Sequence, residues 1–284
     1  MIFKNQYYYF VAGLPDFSFD SMKLPFTTEE FRVMLSEELK KADLKLINKY
    51  FLKNDNDILL DFLKNAGAGS GDEGRLTHEE ILDAVIKMRE ELPESENHLP
   101  PYFENYISKW IDRDDVMEGG KLWEDMLTSL YMDYGMDVKN RLMSRWFEFN
   151  LNIGNILAAT YARNYDLHVS DYIVGHNSVA KTIRENQNSR DFGIGQEVEY
   201  LETLQSIAEE PDIYDRERKI DKLRWDWLEE NTVFDYFNIE YIFAYLCKLQ
   251  ILERWVSLNA EEGEKVFRDL INNLRSETKL PEGY

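Results

Sequence analysis

Three glycines, Gly69, Gly71 and Gly74, have the G-x-G-x-x-G spacing with which a backbone can approach a pyrophosphate. A dinucleotide site of this type requires a strand before the glycines and a helix directly after them. In this chain the helical pattern DILLDFLKN comes before them, and two acidic residues inside the loop would repel a phosphate. We therefore interpret residues 67–74 as a connection between helices and assign no cofactor-binding residue.

The four histidines, His78, His98, His168 and His176, do not have the spacing of a metal site. His78 begins the sequence HEEIL, which has leucine where H-E-x-x-H has its second metal ligand. His168 and His176 are eight residues apart, and no cysteine lies near them. We expect exposed or capping histidines and assign no metal ligand.

Patterns for a nucleophile or an acid–base pair are equally weak. The nearest approach to G-x-S-x-G is AGSGD at 68–72, which lacks both outer glycines. The one cysteine, Cys247, lies in an apolar run, so we expect a buried structural thiol of a protein in a reducing cytosol. The carboxylates are many, but no pattern selects two of them. No catalytic residue is assigned, and an enzyme with dispersed carboxylates stays as one alternative.

The charge balance and the apolar runs limit the partners and the location. The chain of 284 residues has a net charge of −21, which repels nucleic-acid phosphates and attracts basic partners. The opening MIFKNQYYYFVAGLP has no small-residue cleavage site, and the longest apolar runs are far shorter than the ~20 residues that span a bilayer. We expect a cytoplasmic protein without a nucleic-acid partner, a signal peptide or a transmembrane helix.

Helical periodicity covers most of the chain. Thr27 with Glu30, and Thr77 with Glu80, form capping boxes before apolar stripes. The Pro-Pro pair at 100–101 stands where the first position of a helix tolerates proline. We predict an all-α fold of about a dozen helices. Other helices are predicted in LWEDMLTSLYMDYGM, from 138 to about 165, and at 195–209, 214–230, 232–257 and 260–275.

Two segments lack the periodicity of a long amphipathic helix. YYYFV at 7–11 fits either a short strand or the first turns of a buried helix. Residues 168–195 lack a clear period, and we interpret them as a loop.

One apolar run occurs twice. NLNIGNILAA at 150–159 is echoed by NIEYIFA at 238–244, at a constant offset of 86 residues. An asparagine before a helix is usually an N-cap, and one inside a helix usually makes a buried hydrogen bond to a neighbouring element. We interpret the echo as equivalent helices of repeated units, which would occupy 1–135, 136–231 and 232–284 unless they form one continuous domain. The structural positions assigned to the repeat are Asn152, Asn155, Ile156, Asn238 and Ile239.

Several stretches resemble a known family, the C (or d) subunit of V-type and archaeal A-type rotary ATPases. That family has an Asp-x-x-Asn-Ile pattern at the head of a helix; in NIGNILAATYARNYDLHVSDYIVG, Asn152 replaces the Asp and Asn155-Ile156 match. FNIEYIFAYLCKLQILERW resembles the final repeat, and YYYFVAGL resembles the opening, with Gly13 where Arg is usual. YYYFVAGLPDFSFD also looks like the opening of an uncharacterised bacterial family encoded beside V-type ATPase subunits.

The resemblance implies a function and a shape. The C subunit is a funnel of helical repeats on the cytoplasmic face of the membrane proteolipid ring, and it holds the foot of the central shaft without doing chemistry. Central-shaft subunits and the proteolipid ring are then the expected partners, and the location is peripheral to the membrane. A free-standing acidic helical adaptor that binds another cytosolic protein is the alternative.

Overall fold

A computed structural model describes residues 6–64, 99–111 and 123–277, with the backbone alone at 64, at 111 and over 260–277. All regular elements within these ranges are helices, which confirms the predicted all-α fold of about a dozen helices. Also within these ranges, no helix has an apolar stretch long enough to cross a membrane. The loop at 67–74, the capping box at 77–80, His78 and His98 lie outside the described residues.

The helices are numbered here in chain order over the described ranges. They are α1 Tyr8–Ala12, α2 Thr28–Glu38, α3 Lys41–Lys64, α4 Pro101–Ile111, α5 Trp123–Met136, α6 Arg141–Asn164, α7 Ser178–Glu185, α8 Leu201–Ala208, α9 Ile213–Thr232 and α10 Ile239–Glu277, with a 3-10 turn at Val169–Tyr172 between α6 and α7.

Side-chain caps decide where several helices begin. Thr27 accepts a hydrogen bond from the backbone N–H of Glu30, whose carboxylate accepts one from the Thr27 N–H, so the predicted capping box is present. Asn140 and Asn177 cap α6 and α7 by accepting from the N–H three residues ahead. As predicted, α4 has proline at its first position.

Three predicted elements differ from the structure. YYYFV forms the short helix α1, and the expected loop at 168–195 contains the 3-10 turn and α7. Helix α7 escapes notice in the sequence because it has only eight residues, too few for a clear period. The helices expected at 232–257 and 260–275 are one helix, α10, because no proline or capping glycine interrupts residues 239–277.

Contacts divide the chain into two compact units. Unit 1 consists of Met1–Lys40 and Asp221–Tyr284, and unit 2 consists of Lys41–Ile220. This division differs from the three successive units expected at 1–135, 136–231 and 232–284. A division into successive segments cannot represent unit 1, because this unit joins the first part of the chain to the last.

Aromatic rings form much of the core of unit 1. Phe31 of α2 is fully buried, with its ring centroid 5.1 Å from that of Tyr245 in α10. Phe17 packs edge-on against both Tyr245 and Trp225, at 4.9 and 5.8 Å. The Tyr245 hydroxyl donates to the Pro15 carbonyl at 2.9 Å. These contacts fix the segment that follows α1 against α9 and α10.

A buried carboxylate completes this core. Asp221 accepts hydrogen bonds from the guanidinium groups of Arg224 and Arg254, at 2.8 and 3.0 Å, and from the Trp255 indole N–H at 3.0 Å. Three donors compensate for the cost of burying the charge. Asp221 therefore ties α9 to α10 within unit 1.

Unit 2 is centred on α6, which buries one face along its whole length. Gly135 of α5 lies so close to Phe147 of α6 that a methyl group there would be 2.2 Å from the ring. The Tyr131 hydroxyl of α5 donates to the Tyr50 carbonyl of α3 at 2.7 Å. Helix α4 buries one apolar face, and its members are Phe103, Tyr106, Ile107 and Trp110.

Candidate functional site

Unit 1 exposes a group of aromatic side chains on α1 and on the turn between α9 and α10. We call this group the aromatic surface. Tyr9 and Phe234 are 96% and 88% exposed, Tyr236 and Tyr8 are 62% and 52% exposed, and Phe237 is 36% exposed. Single exposed apolar residues are common in proteins, whereas a group of large ones marks an interaction site or a ligand groove.

A backbone contact joins the two parts of the aromatic surface. The buried Tyr7 donates its N–H to the Phe237 carbonyl at 2.6 Å, which places α1 beside the turn. The ring centroids of Tyr8 and Phe237 are then 4.7 Å apart, and those of Tyr236 and Phe237 are 6.5 Å apart. Tyr8, Tyr236 and Phe237 therefore form one continuous set of rings, with Tyr9 and Phe234 adjoining it in sequence.

The turn itself is ordered by Asn238, which caps α10. Its side-chain oxygen accepts from the Tyr241 N–H at 3.2 Å, and its amide donates to the Asp235 carboxylate. Asp235 also has its N–H bonded to the Thr232 carbonyl at 2.9 Å, at the end of α9. The exposed rings of Phe234, Tyr236 and Phe237 are thus presented by a fixed turn.

The segments that carry the aromatic surface are acidic. Residues 6–22 contain two Asp or Glu and residues 225–247 contain five, and the basic residues that flank these segments are Lys4, Lys23, Arg224 and Lys248. Two nearby lysines are engaged with carboxylates: Lys222 with Asp226, and Lys248 with Glu229 at 3.6 Å. At least two carboxylates of these segments are therefore compensated by lysines of unit 1.

Two asparagines assigned from the sequence lie inside unit 2. Asn155 is buried in α6, donates to the Val174 carbonyl at 2.8 Å and accepts from the Val174 N–H at 2.8 Å. Asn152 accepts from the Asn177 amide at 2.8 Å and donates to the Tyr200 hydroxyl at 3.4 Å. Both hold the segment after α6 against that helix.

The two halves of the sequence echo occupy different places. Asn152 and the buried Ile156 lie well inside α6, whereas Asn238 is the N-cap of α10 and Ile239 is its first residue. The aligned asparagines therefore do not begin equivalent helices. An asparagine can cap a helix, or it can make a side-chain hydrogen bond to another segment from inside a helix. A short sequence pattern does not distinguish these two roles.

Two arginines order the segment from 165 to 200 in unit 2. Arg163 donates to the carbonyls of Gln187, Ser189 and Arg190, at 3.0, 2.6 and 3.0 Å, and lies 3.6 Å over the Phe192 ring. Arg184 donates to the carbonyls of Ile173 and Gly175, both at 2.8 Å. Partial burial lowers the pKa of both arginines. Since both arginines donate to several backbone carbonyls, they act as structural cations.

One serine, one histidine and one aspartate approach each other in unit 2. Ser129 Oγ and Asp133 Oδ2 lie 3.4 and 2.9 Å from the same nitrogen of His176, Nδ1. In a catalytic triad the two ring nitrogens serve different partners, so this arrangement cannot pass a proton from serine through histidine to aspartate. Over the ranges that the structure describes, no group of three His, Cys, Asp or Glu is placed to hold a metal ion.

Unit 2 also has an open groove of about 880 Å³ beside α8. Its lining includes Asp191, Glu199, Glu202 and Glu209, with Arg190 as the basic side chain. Hydrogen bonds from Ser189 Oγ and the Gly193 N–H lower the pKa of Asp191, so this carboxylate stays ionised. The groove has the wrong charge for a phosphate ligand and lacks the apolar lining of a typical small-molecule pocket.

The chain belongs to a family of proteins of unknown function, DUF2764, whose profile matches residues 4–278. No curated protein and no solved structure matches it.

This family match shows that the resemblance to the C (or d) subunits of rotary ATPases is wrong. Nearly the whole chain belongs to another family, and nothing in the match links it to those subunits. The shared stretches are short helical runs of Asn, Ile, Ala and Leu, which unrelated buried helices also contain. The broader expectation of an uncharacterised family is confirmed.

Proposed function

We propose that this protein is a non-catalytic, acidic helical adaptor that binds another cytosolic protein through the aromatic surface. The observation that carries the proposal is the exposure of Tyr8, Tyr9, Phe234, Tyr236 and Phe237 on a turn and a short helix that hydrogen bonds hold together. Aromatic side chains are enriched at the centres of protein interfaces.

The construction of the surface supports binding rather than a local defect in packing. The same two segments also carry buried side chains, which are Tyr7, Val11 and Ile239. Tyr9 and Phe234 are exposed. The turn is capped by Asn238 and the chain before α2 is fixed on Tyr245, so a partner would meet a surface that is already ordered. Less conformational freedom is then lost on binding.

The rotary-ATPase role came from a resemblance that the family match replaces. Binding to central-shaft subunits or to a proteolipid ring, and a location peripheral to the membrane, stay predictions without support from the described residues. A titration of the chain with purified shaft subunits tests that role separately.

A photo-crosslinking experiment tests the adaptor proposal. The photoreactive amino acid p-benzoylphenylalanine replaces Phe234 in one chain and Tyr165 in another, and both chains are expressed in the cells from which the protein comes. Tyr165 is a matched control because it is 74% exposed and lies in unit 2. We expect a discrete crosslinked protein from position 234 alone, and we expect Tyr9→Ser in the same chain to abolish it.

Either of two results would contradict the adaptor proposal. The same products from positions 234 and 165 would mean collision without a defined site. A product from position 234 that survives Tyr9→Ser would mean that the aromatic surface does not make the contact.

A further inference from the structure

We propose that two copies of this chain pair through their aromatic surfaces when no other protein is bound there. The inference rests on the proposed function, because it identifies what covers the same surface in the absence of the partner. Pairing and partner binding exclude each other, since both use the same side chains. Self-association therefore limits how much of the chain is available to the partner.

The first argument is the area that the aromatic surface offers. Its five side chains have exposed fractions between 36% and 96%, which together equal about three fully exposed rings. At about 150–250 Å² per aromatic side chain, one copy offers roughly 500–800 Å² and two copies offer roughly 1,000–1,600 Å². Specific interfaces bury about 1,200–2,000 Å² in total, and weak transient ones bury less than about 1,200 Å². The aromatic surface is therefore large enough for a weak dimer by itself.

The second argument is the complementarity of the aromatic surface to itself. Aromatic rings attract each other in tilted and edge-to-face arrangements, at centroid separations of about 4.5–7 Å. The rings of this surface already lie within that range of one another, since Phe237 is 4.7 Å from Tyr8 and 6.5 Å from Tyr236. A second copy presents the same rings, and in a two-fold symmetric dimer each contact between them occurs twice. Pairing therefore requires no surface other than the one described.

Charge sets the conditions under which the copies pair. The net charge of −21 makes two copies repel each other. Near the aromatic surface, Lys222 and Lys248 compensate Asp226 and Glu229, and at physiological ionic strength exposed charges more than about 8 Å apart are largely screened. The rings supply the attraction and salt weakens the repulsion, so the dimer should become more stable as the salt concentration rises.

Sedimentation equilibrium over a series of protein concentrations tests the inference. Three full chains are compared: the natural one, a surface variant with Tyr9→Ser and Phe234→Ser, and a control variant with Tyr165→Ser and Leu167→Ser. Neither pair of substitutions changes the net charge, and the control residues are exposed in unit 2. Each chain is measured at about 0.1 M and about 0.5 M sodium chloride, and its melting temperature shows whether it is folded.

We expect the natural and control chains to form dimers with micromolar affinity. The surface variant, with an unchanged melting temperature, should have a dimer dissociation constant at least about tenfold higher, because two anchors are lost from each copy. Dimers of the natural chain should be more stable at the higher salt concentration.

Photo-crosslinking of the purified chain locates the contact. The chain with p-benzoylphenylalanine at position 234 is irradiated without other proteins, and mass spectrometry identifies the residue to which it attaches. We expect a covalent dimer in which the attachment lies within residues 7–12 or 233–239 of the second copy. This variant keeps an aromatic ring at position 234, so it tests the contact independently of the serine substitutions.

Other outcomes would overturn the inference, and they separate it from the proposed function. Monomers of the natural chain under all conditions would refute pairing and leave the adaptor intact, whereas pairing without any other crosslinked protein in cells would refute the adaptor alone. Equal dissociation constants for the natural chain and the surface variant would mean that the copies associate elsewhere.

Three further results would replace the second copy with another explanation. Dimers that weaken as salt rises would mean that opposite charges, rather than the rings, join the copies. Attachment of position 234 to residues 1–5 of the same chain would mean that the chain covers its own surface. Binding to phosphatidylcholine vesicles that the surface variant loses would mean that a membrane is the occupant.

Discussion

At the scale of single residues, Asn155 shows how one side chain holds an irregular segment. Its amide makes two hydrogen bonds to the backbone of Val174, one in each direction, from the buried face of α6. A backbone N–H and a C=O that fold against a helix and are partly shielded from water need such partners. The 3-10 turn at Val169–Tyr172 and the start of α7 depend on this kind of contact.

We predict that Asn155→Leu lowers the free energy of unfolding by about 2–4 kcal/mol, since it leaves the N–H and C=O of Val174 without their partner. Urea unfolding followed by circular dichroism measures the change. Asn164→Leu is the matched control, because Asn164 is exposed at the end of the same helix, and it should change the value by less than about 0.5 kcal/mol. Equal midpoints for the two variants would refute the structural role of Asn155.

A second residue-scale prediction concerns alkaline pH. Burial, with a smaller contribution from the charges of Glu148 and Glu197, raises the pKa of Tyr200 to about 12. The pKa of Tyr200 is higher in the folded chain than in the unfolded chain, so the neutral tyrosine contributes to stability. This contribution is fully present below about pH 10 and is lost as the pH rises toward the pKa in the folded chain. Between pH 9 and 11 we expect the free energy of unfolding to fall by about 1 kcal/mol less in Tyr200→Phe than in the natural chain.

Urea unfolding of the natural chain and Tyr200→Phe at a series of pH values measures this difference. The control is the range from pH 7 to 8, where the tyrosine is neutral in both states and the two chains should differ by a constant amount. A difference that stays constant up to pH 11 would mean that Tyr200 ionises equally in the folded and unfolded chain.

The sequence identified Asn152 and Asn155 as structural but did not show what they bind. Their partners, Val174 and Asn177, lie in the segment interpreted as a loop. The aromatic surface was not predicted at all. Its signals are the runs YYYF and VFDYF, which have aromatic residues at adjacent positions and acidic ones nearby, whereas a helix with one buried face places its apolar residues three or four apart.

At the scale of helices, α5 and α6 approach each other so closely at one point that only a glycine fits there. Gly135 is buried at the point where α5 meets Phe147 of α6. A glycine within a helix weakens it, so its presence there is explained by the space that the Phe147 ring requires.

We predict that Gly135→Ala destabilises unit 2 by about 1–3 kcal/mol, although alanine favours a helix more than glycine does. Gly154→Ala in α6 is the matched control. A methyl group at Gly154 would meet nothing within 4 Å, so this variant should gain about 0.5–1 kcal/mol. The two melting temperatures, measured by calorimetry, should move in opposite directions, and a rise in both would contradict the close contact.

The helices that could be predicted are those with a cap and a long apolar stripe. Thr27 with Glu30 gave the start of α2, and the proline pair gave the start of α4. Helix α7 was missed because eight residues give too little periodicity. Helix α10 was divided because the run NAEEGE at 259–264 is polar and contains a glycine, which resembles a break in the apolar pattern. Unit 1 could not be predicted because its two parts are far apart in the sequence and meet only in the folded chain.

At the scale of the whole molecule, charge has two opposite effects. A net charge of −21 on 284 residues destabilises the compact state through self-repulsion, and the same charge attracts a basic partner. Salt screens both effects.

We predict that raising the salt concentration from about 0.02 M to about 0.3 M increases the melting temperature by a few degrees. Sodium chloride and choline chloride should act alike, since screening depends on ionic strength. A melting temperature that falls with both salts would show that favourable ion pairs, rather than repulsion, dominate the surface.

The central claim is that the aromatic surface binds a protein partner, and calorimetric titration tests it most directly. The partner captured at position 234 is purified and titrated into the natural chain, the variant with Tyr9→Ser and Phe234→Ser, and the control with Tyr165→Ser and Leu167→Ser. We predict one-to-one binding to the natural and control chains with similar affinity, and affinity lower by about tenfold or more for the surface variant, with its melting temperature unchanged. Equal affinity for all three chains would contradict the claim.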